Sequence, residues 1–167
     1  MKENIYSKIE KVVVNVGVGR QSSLPNFDKV LAGISKELET IVGQKPATQP
    51  SKQSISGFKL RQGTTVGLKI TLRGKRMAGF LQKILGVVLP RVRDFRGIRL
   101  TSIDGGGNLT IGIKDQYVFP EINIESSDAA FGLEFTIVPK VSRNREEALA
   151  LYRELGIPFE KETKKKK

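Results

Sequence analysis

Between Gly57 and Arg76 the sequence reads GFKLRQGTTVGLKITLRGKR: six basic side chains (Lys59, Arg61, Lys69, Arg73, Lys75 and Arg76), no acid, and Lys52 just upstream. A lysine ammonium is a compact point charge and an arginine guanidinium a planar fork of donors; both suit phosphate oxygens. A second segment, PRVRDFRGIR from Pro90 to Arg99, interleaves Arg91, Arg93 and Arg96 with one aromatic ring. Phe95 there is suited to stack on a base or to anchor the loop, and Asp94 is expected to orient a neighbouring arginine. The chemistry open to these residues is recognition of a phosphate-rich polymer. Plain surface salt bridging is the competing account of the arginine segment.

Charge is segregated along the chain. Residues 1–42 hold six basic and five acidic groups, 43–99 thirteen and one, 100–160 five and ten, and 161–167 five and one. The net charge is +12 with an isoelectric point near 10.0, so the middle block alone equals the total. Such a block reads as the footprint of a surface for a polyanion, most often nucleic acid. The bland alternative is a basic surface that only keeps the protein soluble.

Catalytic chemistry has little to work with. Cysteine and histidine are absent, which removes disulfides, thiolates, Cys/His zinc sites and imidazole bases. Glu146/Glu147 and Asp115/Glu121 are carboxylate pairs without informative spacing, and the first pair suits the start of a helix. Gly17-Val18-Gly19-Arg20 follows a strand, but Ser22 breaks the GxGxxG pattern and no Walker-type Gly-Lys-Ser/Thr ending is present. A tight strand-to-helix turn is the better reading, although such a turn can bring amides near a phosphate. Asp104-Gly105-Gly106-Gly107-Asn108 lacks the further oxygen ligands of a calcium loop and reads as a hairpin turn. No catalytic residue, metal site or cofactor is therefore predicted. No run of about eighteen apolar residues exists and no membrane partner is expected. The opening MKENIYSKIEK has no apolar core of a secretory signal, which points to the cytoplasm.

The elements that must position these side chains follow from periodicity. At 167 residues, a single domain over 1–160 is expected, with 161–167 a disordered basic tail. Ile9–Val16 is β-branched and reads as a strand. From Pro25 to Val42 apolar residues recur at helical steps, and Gly43 is a stop. Gly43–Gln62 is polar and irregular with one short strand at most. Val66, Leu68, Ile70 and Leu72 alternate with Gly67, Lys69, Thr71 and Arg73, the pattern of a half-buried antiparallel strand. A second helix is predicted over Lys75–Leu89, ending near Pro90. Ile98–Ile103 and Leu109–Ile113 are expected to form a hairpin around DGGGN. Phe131–Val138 is a further strand, and Arg145–Leu155 a last helix capped by Ser142 or Asn144. The sum is an α+β fold: an antiparallel β-sheet with helices packed on one face, the other face and the loops free to bind RNA.

Seven phrases occur in one order: VVNVGVG ending at Gly19, GQKP (43–46), SISGFKLRQG (54–63), GLKITLRG (67–74), LPRVRDFRG (89–97), GNLTIGIKDQYVFPEI (107–122) and LGIPF (155–159). Together they closely resemble the bacterial form of the fifth large-subunit ribosomal protein family (L five). The resemblance implies a non-catalytic structural protein of the cytoplasmic ribosome, placed in the central protuberance of the large subunit. It implies 5S rRNA contacts at Asn15, Gln44, Phe58 and Thr71, to which the charge pattern adds Lys69 and Arg73. The loop Gly57–Gly63, with Gly57, Lys59, Arg61 and Gln62, resembles the family's P-site tRNA-facing loop and is expected to be a mobile cationic finger. The region Asp115–Gly132 resembles the side that bridges to a small-subunit head protein (S thirteen). Arg91, Arg93 and Arg96 are left for other RNA or partner contacts, with 23S rRNA and neighbouring central-protuberance proteins as candidates. Two departures stand out: relatives usually carry a longer helical lead-in, and KETKKKK extends past the usual end at GIPF. Two other classes stay open on the residues alone, a free-standing RNA chaperone or regulator and a nucleotide-dependent enzyme using Gly17–Arg20.

Overall fold

A computed structural model describes residues 5–23, 25–58, 60–127, 129–141 and 144–160. The basic tail, Lys59 and the candidate cap Ser142 lie outside the described residues. Strands β1 (Ile9–Gly17), β2 (Ala47–Pro50), β3 (Thr65–Leu72), β4 (Leu109–Ile113) and β5 (Leu133–Pro139) form one five-stranded antiparallel sheet in the order β2-β3-β1-β5-β4. With its helices this is the predicted α+β fold. The chain divides into two compact units, one of residues 13–72 and 112–135, the other of 1–12, 73–111 and 136–167.

In the first unit, β1 buries Val14 and Val16, and β3 buries Leu68, Ile70 and Leu72, each on alternate residues. Period two therefore decides which side chains face outward. Helix α1 (Phe27–Val42) buries Val30, Ile34, Leu38, Ile41 and Val42 from one stripe. Gly43 ends it at φ 74, its N–H donating to the Glu39 carbonyl at 2.7 Å. That left-handed geometry is costly for any residue with a Cβ. Between β1 and α1 the predicted turn forms. The Val18 amide donates to the Val66 carbonyl (2.9 Å), that of Gln21 to Val18 (3.0 Å), and the Ser22 hydroxyl to Gly19 (2.7 Å). These amides serve the turn and the strand, not a phosphate cradle.

In the second unit the buried side chains include Tyr152 and Met77, Phe80, Leu81 and Ile84 from the second helical stripe. Helix α2 (Gly74–Lys83) runs on through a π turn (Ile84–Val88) into a last turn, α3 (Leu89–Arg91). The helical run thus ends at Arg91, beside the predicted stop near Pro90. In a regular helix the Pro90 ring would meet the carbonyl four residues back, at Gly86. The widened π turn, in which the Leu89 amide reaches the Ile84 carbonyl, opens the backbone just before that point. Helix α4 (Arg145–Glu154) starts after Asn144 and buries Ala148 and Tyr152. The Tyr152 hydroxyl donates towards the Gly107 carbonyl (2.7 Å) and the Ile137 carbonyl (3.1 Å); burial pushes its pKa well above the usual phenol range.

One expected element is corrected. Ile98–Ile103 is not a hairpin arm: Ile98 makes a parallel bridge to Phe159, Leu100–Ser102 is a 3₁₀ turn, and only Ile103 bridges Leu109. The Asp104–Asn108 turn does form, the Asp104 carboxylate accepting the amides of Gly106 (2.9 Å) and Asn108 (2.8 Å). Sequence alternation had no means of showing that β4 takes β5 as its strand partner instead.

Candidate nucleic-acid interface

The outward residues of β1 and β3 in the first unit include Asn15, Lys69 and Thr71, opposite in parity to the buried valines, leucines and isoleucine. Lys69 is exposed, while Asn15 and Thr71 are half-buried. Antiparallel register pairs β2 with β3 as Ala47↔Lys69 and Gln49↔Gly67. Directly paired residues point to the same face, so Gln49 joins Lys69 there. Gly67 lets the strands approach closely; a Cβ would stand 3.2 Å from the Val16 carbonyl oxygen and 3.9 Å from Gln49 Cβ. At the end of β3, Gln44 Nε2 donates to the Thr71 carbonyl at 3.4 Å. The fold thus brings Asn15, Gln44, Lys69 and Thr71 onto one unit. It offers amide and hydroxyl groups that can reach sugars and base edges beside a cation that can reach phosphate.

The basic segment before β3 is a continuation of the β2–β3 hairpin. The Ser51 amide donates to Thr64 (2.8 Å), Gly63 to Ser51 (3.0 Å), and Ile55 and Leu60 exchange bonds at 2.9 and 3.1 Å. The Gln62 amide is held by the Ser54 hydroxyl at 2.9 Å. Gly57 and Phe58 fall in a short 3₁₀ turn, Ser56–Phe58, at the tip. Gly57, Arg61 and Gln62 are exposed. The finger is therefore a cross-linked arm. Gly63, at φ 86 with its N–H engaged, supplies a left-handed turn position within that ladder.

Arg73 behaves differently. It belongs to the second unit, and its Nη1 lies 3.2 Å from Glu10 Oε1, the same oxygen that takes Lys11 Nζ at 3.3 Å. The guanidinium, and after it the Lys11 ammonium, holds the Glu10 carboxyl below the usual carboxylate range. In that unit Arg91, Arg93 and Arg96 are exposed and Phe95 is half-buried. Asp94, expected to steer an arginine, supplies a left-handed turn at φ 54. Gly97, at φ 110, presses so closely on Phe159 and Glu160 that a Cβ would fall 2.6 Å from their backbone atoms. The Ile98 amide then donates to Pro158 (2.8 Å) and that of Glu160 to Ile98 (3.0 Å), seating the arginine segment on the C-terminal strand bridge.

Opposite in charge is the segment around Asp115–Gly132 of the first unit. Asp115, Glu121 and Glu125 are exposed there, and Ile124 is 65% exposed. Gln116, fully buried, closes this loop: its Nε2 donates to the Ala129 carbonyl (2.9 Å) and to Ser127 (3.1 Å), and its Oε1 accepts the Phe131 amide (2.9 Å). Sequence reading missed Gln49, Gly67, Glu10 and Gln116. The first three depend on strand register, and a glutamine gives no sign that it will be buried as a clamp. Among the described residues no group of three or more acidic side chains gathers as a metal site, and no helix is long and apolar enough to cross a membrane.

Two family profiles match in tandem: one described as Ribosomal protein L5 over residues 7–61, and one describing the C-terminus of the same ribosomal family over residues 65–159. Curated relatives called large ribosomal subunit protein uL5 resemble the chain along most of its length. One from Mycoplasma mycoides subsp. mycoides is 49% identical over 154 residues, covering 92% of this chain and 83% of the relative. One from Streptococcus uberis is 48% identical over 155 residues, with the same coverage. One from Synechococcus is 46% identical over 152 residues, covering 91% and 83%.

Proposed function

Because the chain belongs to the ribosomal protein L5 family, structural and non-enzymatic constituents of the large ribosomal subunit, we propose that it binds 5S rRNA in the bacterial cytoplasm. The contacts would run through Asn15, Gln44, Phe58, Lys69, Thr71 and Arg73. The observation that carries this reading is the one-sided polar face of β1 and β3, with Gln44 bonded to its Thr71 end. The apolar parity of the same strands holds the core, so the polar parity can meet RNA without a change of fold.

The cross-linked arm with Gly57, Arg61 and Gln62 is proposed to face P-site tRNA together with Lys59, and Arg91, Arg93 and Arg96 to meet 23S rRNA or a neighbouring protein. The acidic loop with the exposed Ile124 suits a basic protein of the small-subunit head, and Gln116 gives that loop a fixed shape. Residues 1–160 are proposed to unfold as one domain, since β1, β4 and β5 each supply residues to both units; two separate thermal transitions would refute this.

The deciding experiment is a gel shift with 5S rRNA against a folded control RNA of equal length at raised salt. Wild-type protein prefers 5S rRNA. Asn15→Ala and Thr71→Ala each reduce that preference by about tenfold or more, as loss of a specific hydrogen-bonded contact does. Equal affinity of the wild type for both RNAs, the behaviour of a general RNA chaperone, would remove this reading.

A further inference from the structure

We propose that Glu10 is a positioning residue for RNA recognition: it holds Arg73 and Lys11 in ion pairs, suppressing indiscriminate phosphate binding and fixing the direction in which Arg73 points. The inference rests on the reading of Arg73 as an RNA contact. Glu10 Oε1 receives Arg73 Nη1 at 3.2 Å and Lys11 Nζ at 3.3 Å, so one carboxylate oxygen serves two cations. All three side chains reach solvent: 58% of the Arg73 side chain, 41% of Glu10 and 32% of Lys11 are exposed. The cluster is therefore not a buried structural pair.

Exposed ion pairs contribute little to stability, so holding the fold together is a poor account of this arrangement. Its effect on ligands is larger. An incoming phosphate must compete with a carboxylate for Arg73, whereas at Lys69 no described carboxylate stands in ion-pair reach. A guanidinium has five donors, and using one edge on Glu10 aims the others. A phosphate placed in line with those donors binds without displacing Glu10. A phosphate arriving elsewhere meets a cation already partly neutralised.

The test is Glu10→Gln, which keeps the size of the side chain and removes its charge, assayed with 5S rRNA and the control RNA across a salt series. Affinity for the control RNA is expected to rise about two- to five-fold, the range an exposed ion pair is worth. Its dependence on salt should steepen by up to one phosphate contact, about 0.7–0.9 in the log–log slope. The 5S-to-control ratio falls accordingly. In the Glu10→Gln/Arg73→Gln double variant the change in ratio largely disappears. A ratio unchanged by Glu10→Gln, or a parallel change with both RNAs, overturns the inference. If instead the wild type shows no preference for 5S rRNA, the functional reading fails and not the role of Glu10 alone.

Discussion

Lys69 and Arg73 are near neighbours in sequence, yet the protein presents them in opposite ways. Lys69 stands on β3 with no ion-pair partner among the described residues, held by its strand alone. Arg73, in the other unit, leans on Glu10. The same unit ties Lys8 to Glu154 at 3.0 Å and Arg99 to Glu160 at 3.8 Å. A bare cation attracts any phosphate within the screening distance of about 8–10 Å. A cation tied to a carboxylate gives up part of that attraction and gains a direction. One protein can thus combine general affinity with discrimination, provided that backbone geometry keeps each cation in its place.

The largest expected effect comes from breaking such a seat. Gly97 has φ 110 and no room for a Cβ beside Phe159 and Glu160. Gly97→Ala combines left-handed strain with a backbone clash, each worth about 1–3 kcal/mol. A loss of roughly 3 kcal/mol or more should lower the melting temperature by about 6–12 °C in a chain of this size. The arginines at 91, 93 and 96 would lose their fixed presentation, while the polar face of the first unit keeps its preference for 5S rRNA. An unchanged melting temperature would mean that the tight Gly97 contact does not anchor the segment.

That seat also marks how far the sequence could be read. The alternation at Val66–Arg73 was enough to foresee which β3 residues are buried, because a half-buried strand has a period of two and the core accepts only one parity. The helix over Phe27–Val42 was legible for the analogous reason at period 3.6. Pairing between distant segments was not. Ile98 finds Phe159, and Glu10 finds Arg73, through contacts that no local pattern encodes. The expected hairpin failed there: two apolar runs around a glycine-rich turn look alike whether they pair with each other or with something else. The chemical types of the site were visible before the fold. Which of its cations are bare and which are tied was not.

A smaller effect separates the two kinds of cation directly. Lys69→Ala should weaken binding to 5S and control RNA alike and flatten both salt slopes by about 0.7–0.9, the contribution of one phosphate contact. Arg73→Ala should flatten the control slope by less, since Glu10 already offsets that charge, and should cost 5S rRNA more than the control. Equal flattening by the two substitutions would erase the contrast between the units.

The smallest effect concerns two carboxylates of the second unit that do different jobs. The Asn108 side-chain amide, together with the backbone amides of Asn108, Gly106 and Gly107, holds Asp104 below the usual aspartate range despite some burial. Glu10 is lowered by cations. A carboxyl whose folded pKa is depressed stabilises the fold fully above its unfolded value and loses that contribution as pH falls through the folded one. Asp104 is exposed, so solvent screening keeps its share modest. Wild-type protein should therefore lose stability on acidification below about pH 4, the ordinary aspartate range, slightly faster than Asp104→Asn does. At neutral pH that variant should melt earlier, because a neutral amide accepts the Gly106 and Asn108 amides less strongly. Glu10→Gln should leave the melting curve near that of the wild type and move RNA selectivity instead. The contrast then becomes one of function: Asp104 organises its own backbone, and Glu10 organises the cations that meet RNA. Parallel pH–stability curves for wild type and Asp104→Asn would deny Asp104 that role and leave the turn to its glycines.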